Sequence, residues 1–472
     1  MSDTTVKGNM AVVWWIVSAV TSVLILIYLA FFWKINWIKD LRENDAKRSW
    51  LNRRSGDGKS GGGSRNKNRK VGHLPPVYPN GWFALLESSH LKRGQVKHIA
   101  ALGQNFAVFR TQKGTVSVLD AYCPHLGANM GEGGRVRGEC LECPFHGWLF
   151  RGADGRCQDI PYSDKVPEFA KTKAWDCCEV NQLIFVWHHA ENAKPSWRLQ
   201  PLGKISDGSW RYHGRNEFIV NSHIQEIPEN GADWAHLSAV HGPSILLSER
   251  VPWLARHSWT AAEWTSYVPP SQEQTIPKAE EAGTTEVEKE CGAGIDNVPE
   301  REPRISEENV AGTGEFENGG GKISKDKTPM SNKSHKAIMR LRHSLILLER
   351  IAILQLDVRA EQIGPGYVEL LVQSSMGPMC ILQTVTPLEP LLQRVIHLMF
   401  APPLLAPLAT LVLFGESVMF ERDVAVWNHK RFEQRPLLVR EDRSILAYRR
   451  WYAQFYSPHS PTYQSTTRSL QW

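Results

Sequence analysis

A chain of 472 residues, 42% apolar and 22% charged, has room for two folded domains with tails and linkers. Its net charge of +6 is mild, and much of the basic excess lies in residues 34–70, which argues against a nucleic-acid partner. Eight cysteines are too few for a disulfide-built scaffold of this size, and their spacing is that of metal ligands.

Residues 11–33 (AVVWWIVSAVTSVLILIYLAFFW) form an unbroken uncharged run. At 1.5 Å per residue such a helix reaches roughly 34 Å, enough for a hydrocarbon core of about 30 Å. Trp14, Trp15, Tyr28 and Trp33 lie near its ends, where aromatics sit at a membrane interface. No small-residue cleavage site follows, so the run reads as a transmembrane helix within an N-terminal segment, 1–36, and not as a signal peptide. Asp3 and Lys7 precede it, whereas Lys34, Lys39, Arg42, Lys47, Arg48, Arg53 and Arg54 follow. The positive-inside rule then predicts a single-pass protein with its bulk in the cytosol, where thiols stay reduced.

Residues 37–76 read as a basic linker, most flexible over the Gly/Ser-rich stretch 55–70. From Trp82 short alternating runs predict strands at 97–102, 104–110, 115–120 and 183–189, an all-β unit over 77–200. A second unit, 201–455, is predicted to be α+β. It has a strand at 215–220 and one helix over 226–243 (EIPENGADWAHLSAVHGP) stopped by Gly242 and Pro243. Residues 270–337 are too polar to offset their ordering entropy and read as a disordered insert, with order resuming at Ile338 and a tail at 456–472. The uncharged stretch 398–414 is short and broken by Pro402, Pro403 and Pro407, so it reads as a core or membrane-dipping segment and not a span.

Two constellations carry chemistry. Cys123-Pro-His125 is followed by Cys143-Pro-Phe-His146, one thiolate and one imidazole in each of two Gly/Pro-rich loops. Two thiolates on one iron and two imidazoles on the other make a Rieske [2Fe–2S] cluster. A zinc site through Cys140 and Cys143 lacks a second C-x-x-C pair. Further on, helical spacing puts Asp233 and His236 about 60° apart, so the carboxylate is predicted to orient the imidazole. His241 lies roughly 140° further round, and both histidines reach one metal only if the helix ends or distorts between them. Two histidines and a carboxylate form the facial triad of non-haem Fe(II) oxygenases. Asp423, among apolar residues in a predicted helix, is the candidate third ligand, with Asp357 and Glu361 as rivals.

From Trp82 onward the chain resembles the Rieske non-haem iron oxygenases. The matching text is C-P-H…C-P-F-H-G-W, N-x-x-D-x-x-H-x-x-x-x-H and F-x-x-D-x-x-V-W. The N-terminal run, ENGADWAHLSAVHGP and ERDVAVWNHKRF make it most similar to the membrane-anchored sterol branch, the Neverland-type cholesterol 7-desaturases. The resemblance implies a Rieske β-domain followed by a helix-grip catalytic domain with an antiparallel sheet. It makes Cys123, His125, Cys143 and His146 the cluster ligands and His236, His241 and Asp423 the ligands of a mononuclear Fe(II). It implies that Asp233 bridges an iron-ligating histidine to a cluster histidine, His146, of a neighbouring subunit in a homotrimer. It further implies a sterol substrate, cholesterol going to 7-dehydrocholesterol in ecdysteroid or steroid-hormone synthesis at the endoplasmic-reticulum membrane, with O2 as oxidant. Electrons would come from NAD(P)H through a separate reductase, since no dinucleotide-binding glycine fingerprint is present. The alternatives are a sterol hydroxylase, a Rieske electron carrier that would not need His236, His241 and Asp423, and a binding scaffold with decayed metal sites.

Overall fold

The computed structural model describes residues 3–41, 71–242, 254–267 and 334–469. The 55–70 linker, Pro243 and the insert up to residue 333 lie outside the described residues.

The uncharged N-terminal run is helical: α1 spans Asp3–Phe32, and its Trp14, Trp15, Leu24 and Phe32 side chains are exposed. Among the described residues, however, the helix long and apolar enough to cross a membrane by length and composition is Pro403–Trp427, not the N-terminal one. The anchor assignment is therefore taken up as a proposal below. Only Trp33 and Lys34 separate α1 from a strand, β1 (Ile35–Asp40). This corrects the reading of 37–76 as a linker. The run INWIKD alternates sides, burying Ile35 against Met399, Leu405 and Leu413, so its first half behaves as a sheet edge.

The all-β unit contains the four predicted strands: β3 (Val96–Ala101), β4 (Gln104–Arg110), β5 (Val116–Asp120) and β12 (Leu183–His188). They are joined by β2 (Gly81–Glu87), β6 (Arg135–Arg137), β7 (Cys140–Glu142), β8 (Leu149–Arg151), β9 (Cys157–Asp159), β10 (Ala174–Trp175) and β11 (Cys177–Val180). Three small antiparallel sheets result, ordered β10-β5-β4-β3, β11-β12-β2 and β6-β7-β8-β9.

The second unit is one eight-stranded sheet, ordered β1-β13-β19-β18-β17-β16-β15-β14. Its strands are β13 (Arg211–Asn221), β14 (Ala255–Ser266), β15 (Lys336–Leu347), β16 (Ile351–Ile363), β17 (Tyr367–Ser374), β18 (Gly377–Glu389) and β19 (Leu392–Ala401). All neighbours are antiparallel except β1, which runs parallel to β13 from Ile35↔Gly214 to Asp40↔Ile219. β15 begins at Lys336, two residues before the predicted Ile338.

The single helix predicted over 226–243 is two: α2 (Glu226–Glu229) and α3 (Trp234–His241). Asn230, Gly231 and Asp233 favour turns and caps over helix interiors, and Asp233 caps α3 by accepting the His236 N–H at 3.2 Å. The 398–414 stretch splits into the end of β19, a turn of 3-10 helix (Pro403–Leu405) and the start of α4 (Ala406–Trp427). α4 packs on β13 and β19, with Leu413, Phe420 and Val424 buried.

The two units share a core. Phe83 and Leu85 of β2, Phe218 and Val220 of β13 and Phe420 of α4 belong to one buried cluster. Within the predicted tail, Pro461 accepts a backbone bond from Val77 at 2.8 Å, and Ser460 is buried. A polar clamp joins the β11–β12 turn to β17, where Asn181 donates to the Tyr367 hydroxyl at 2.9 Å and that hydroxyl donates to Glu369 at 3.0 Å.

Burial pushes the Glu369 carboxyl up to about 7. A carboxyl raised in the folded state contributes stability that is complete below its unfolded pKa and is lost as pH rises through about 7. Glu369→Gln is therefore expected to raise the melting temperature at pH 8, by roughly 1–3 kcal/mol of stability, and to be near neutral at pH 5. Thermal melts at the two pH values check this; an equal shift at both would contradict it.

Candidate functional site

The two Cys/His loops are built alike. The Cys123 N–H bonds to the Ala128 carbonyl at 2.9 Å, and the Cys143 N–H bonds to the Trp148 carbonyl at 2.8 Å. Gly127 and Gly147 donate back to the carbonyls of Cys123 and Cys143, each turning at φ +75°, where a side chain would be strained. This repeated turn brings both pairs to one place. The imidazoles of His125 and His146 lie 4.7 Å apart, centroid to centroid, and Trp148 stacks on His125 at 4.8 Å. Cys123 and Cys143 are buried. Burial, aided by the adjacent Cys143 thiol, pushes Cys123 up to about 11.

The pocket fits a two-iron cluster: two thiols side by side, two facing imidazoles, and a His125 Nδ1 that is buried without a partner. Cys140 stands apart on β7, opposite Arg151. Cys143→Ser is accordingly expected to abolish Rieske absorption and EPR signals, and Cys140→Ser to leave them intact; a normal signal in Cys143→Ser would remove the assignment.

The structure also brings His236, His241 and Asp423 together, with one ligand atom from each lying within 4.8 Å of the others. His241 Nε2 is 3.1 Å from Asp423 Oδ1, and the two imidazole centroids are 5.3 Å apart. The helix neither ends nor breaks between the histidines, contrary to expectation. α3 stays regular to His241, its last residue, and the side chains converge across the turn. The donor set fits a divalent iron: two imidazoles and a carboxylate, with His241 Nδ1 buried and otherwise unpartnered. Burial lowers the pKa of His236, keeping a neutral nitrogen available. Of the rivals, Asp357 pairs with Arg342 at 2.7 Å and Glu361 with Arg359 at 2.8 Å; neither belongs to the triad.

Asp233 lies beside His236 without a direct carboxylate–imidazole hydrogen bond. Its carboxylate is 4.0 Å from His236 Nδ1, and that nitrogen faces Asp233's own backbone carbonyl.

The triad lines one part of a cavity of about 350 Å³ between α4 and the sheet. Most of the wall is apolar, including Leu356, Val372, Phe414 and Met419, and it carries a few polar groups, among them His257, His343 and Glu416. These were not legible beforehand. A lone histidine on a strand has no distinguishing local pattern, although the Trp259↔His343 register places His257 and His343 on one face.

Comparison with known proteins follows the same division. Residues 81–170 match the Rieske [2Fe-2S] domain, and residues 186–456 match the 3-Ketosteroid 9alpha-hydroxylase C-terminal domain. The chain is 41% identical over 399 residues to cholesterol 7-desaturase nvd 1 of Ciona intestinalis, covering 84% of this chain and 72% of that one. It is 37% identical over 469 residues to cholesterol 7-desaturase nvd of Drosophila melanogaster, covering 95% and 92%. The solved structure of Pseudomonas putida CBB5 NdmA shares the fold, with a TM-score of 0.50 at 13% identity over 79% of this chain and 89% of that one.

Proposed function

The chain belongs to the cholesterol 7-desaturase family of Rieske oxygenases, and from that premise we propose that it converts cholesterol to 7-dehydrocholesterol. It is a Rieske-type sterol desaturase. The observation that supports this reading is a two-histidine, one-carboxylate triad opening onto an apolar cavity.

In this reading Cys123, His125, Cys143 and His146 hold a [2Fe–2S] cluster, and His236, His241 and Asp423 hold a mononuclear Fe(II). When bound, these groups supply electron transfer and O2 activation. Two hydrogens leave C7 and C8, and with two electrons and two protons O2 becomes two waters. The chain's own residues do the rest. The wall of Leu356, Val372, Phe414 and Met419 excludes bulk water and holds a rigid apolar skeleton at one orientation. Asp233 lies beside His236 and fits a positioning role between the two centres.

Electrons arise from NAD(P)H through a separate reductase. Helix α1 anchors the protein in the endoplasmic-reticulum membrane, consistent with its exposed aromatics and the basic residues after it. By contrast, Pro403–Trp427 belongs to the folded body, because a crossing there would part Asp423 from His241, 3.1 Å away. A homotrimer would let one subunit's cluster serve another's triad.

The test is product analysis after incubating the full chain in membranes with cholesterol, O2, NADPH and a reductase. The 5,7-diene is expected. A 7-hydroxylated sterol as sole product would favour the hydroxylase, and no sterol oxidation with cluster reduction intact would favour an electron carrier.

A further inference from the structure

The cavity has a polar feature outside the triad. His257 on β14 and His343 on β15 both line it and are both buried. His257 Nδ1 and His343 Nε2 are 2.7 Å apart, so the two imidazoles share one hydrogen bond. Burial pushes both down to about 4, and both are neutral near pH 7. The other ring nitrogen of His257, Nε2, is buried with no partner among the described residues. An unmet polar atom of this kind is costly in an apolar surround unless something else supplies its bond.

Trp259 Nε1, in the same wall, is likewise buried with no hydrogen-bond partner among the described residues, whereas two other polar side chains have near neighbours. Gln362 donates to the Gly364 carbonyl at 3.2 Å, and Glu416 Oε2 lies 2.9 Å from His397 Nδ1. The histidine pair is also close to the reacting centre. Trp259 is near both, 6.4 Å from the His241 ring and 4.4 Å from the His343 ring.

We propose that the His257–His343 pair is the polar end of the substrate cavity and hydrogen-bonds the hydroxyl of an otherwise apolar substrate through His257 Nε2, thereby setting which carbon faces the triad. The proposal rests on the sterol reading above and adds the residue that orients the sterol. A sterol hydroxyl lies about five bonds from C7, roughly 6 Å along a fused-ring skeleton with bonds near 1.5 Å, comparable with one indole ring. A neutral pair is suited to a hydroxyl, which both donates and accepts. If His257 Nδ1 donates to His343, Nε2 accepts the hydroxyl proton; if His343 donates instead, Nε2 donates to the hydroxyl oxygen. His257 and His343 are positioning residues and touch no reacting atom.

The test measures equilibrium binding of radiolabelled cholesterol and of its analogue lacking the 3-hydroxyl, using the full-length, iron-loaded protein in detergent. The wild type should bind cholesterol about 3- to 10-fold more tightly than the deoxy analogue, the span of one net hydrogen bond. In His257→Leu the preference should fall within about twofold through weaker binding of cholesterol alone, with iron content unchanged. His257→Gln, which keeps a donor and an acceptor, should retain most of the preference. His343→Leu should weaken it, and is the deciding variant should His257→Leu not fold. Equal binding of the two sterols by the wild type, or an undiminished preference in either leucine variant, overturns the proposal while the sterol reading stands. Failure of the wild type to bind either sterol removes the sterol reading and this proposal with it.

Discussion

Asp423→Asn is expected to leave the [2Fe–2S] signal unchanged while losing the mononuclear iron and slowing turnover by at least about a hundredfold. The carboxylate sits 3.1 Å from His241 Nε2 and is the charged member of a triad whose other two donors are imidazoles. Asparagine preserves shape but removes the negative charge that offsets a divalent cation. Iron and acid-labile sulfide analysis reads the result directly, from about three irons per two sulfides toward two per two. Asp357→Asn is the control, since Asp357 is already paired with Arg342 on an exposed strand face. An undiminished iron content in Asp423→Asn would send the search for the third ligand elsewhere.

The second large effect concerns Asp233. In this structure its carboxylate accepts the His236 N–H and caps α3. Asparagine caps a helix as well as aspartate does, so Asp233→Asn should keep the helix, both metal sites and the fold. What it removes is the negative charge beside His236. Reduction of the cluster by the reductase should proceed at the normal rate, whereas its reoxidation with sterol and O2 should slow by about a hundredfold or more, if a charge-assisted bond links the centres. His236→Ala should fail differently, by losing iron. Near-normal turnover in Asp233→Asn would leave Asp233 with the capping role alone. Mixed oligomers of Cys143→Ser and Asp423→Ala chains test the path between subunits: recovered activity requires transfer from one chain to another.

How far the sequence was readable depended on how local each signal was. The strands at 96–101, 104–110, 116–120 and 183–188 follow from short β-prone runs set between Gly and polar turns, although 183–188 is buried at every position and does not alternate. The four cluster residues fall within 24 positions and carry their own turns. Asp423, by contrast, meets His241 only through the packing of α4 against α3, which no spacing encodes; its apolar neighbours and the F-x-x-D-x-x-V-W resemblance were the clues. The expected bond from Asp233 to the His236 ring is not made, because the nearer backbone N–H takes the carboxylate first. The helix over 226–243 was overextended for the same reason: Asn230 and Gly231 interrupt a pattern whose apolar spacing continues across them. His257 and His343 were invisible until two strands laid them side by side.

The edge strand changes what a soluble version of this protein can be. Because β1 begins two residues after α1 and Ile35 is packed into the sheet, the helix is mounted on the catalytic body and not leashed to it. The stretch 42–70 lies instead between that body and the first strand of the Rieske unit. A cut at residue 71 removes the helix together with a parallel strand and a buried isoleucine, and should yield an aggregating product with an open sheet edge. A protease site placed at Trp33–Lys34 divides α1 from the folded body where the chain itself does. Cleavage there should release an intact, monodisperse body whose cluster spectrum matches the uncut protein. The heading of the cavity relative to the helix axis is thus a built-in angle, carried by two residues of chain, and lengthening that joint by a few glycines is the direct way to learn whether the angle matters for taking up a substrate that itself dissolves in lipid.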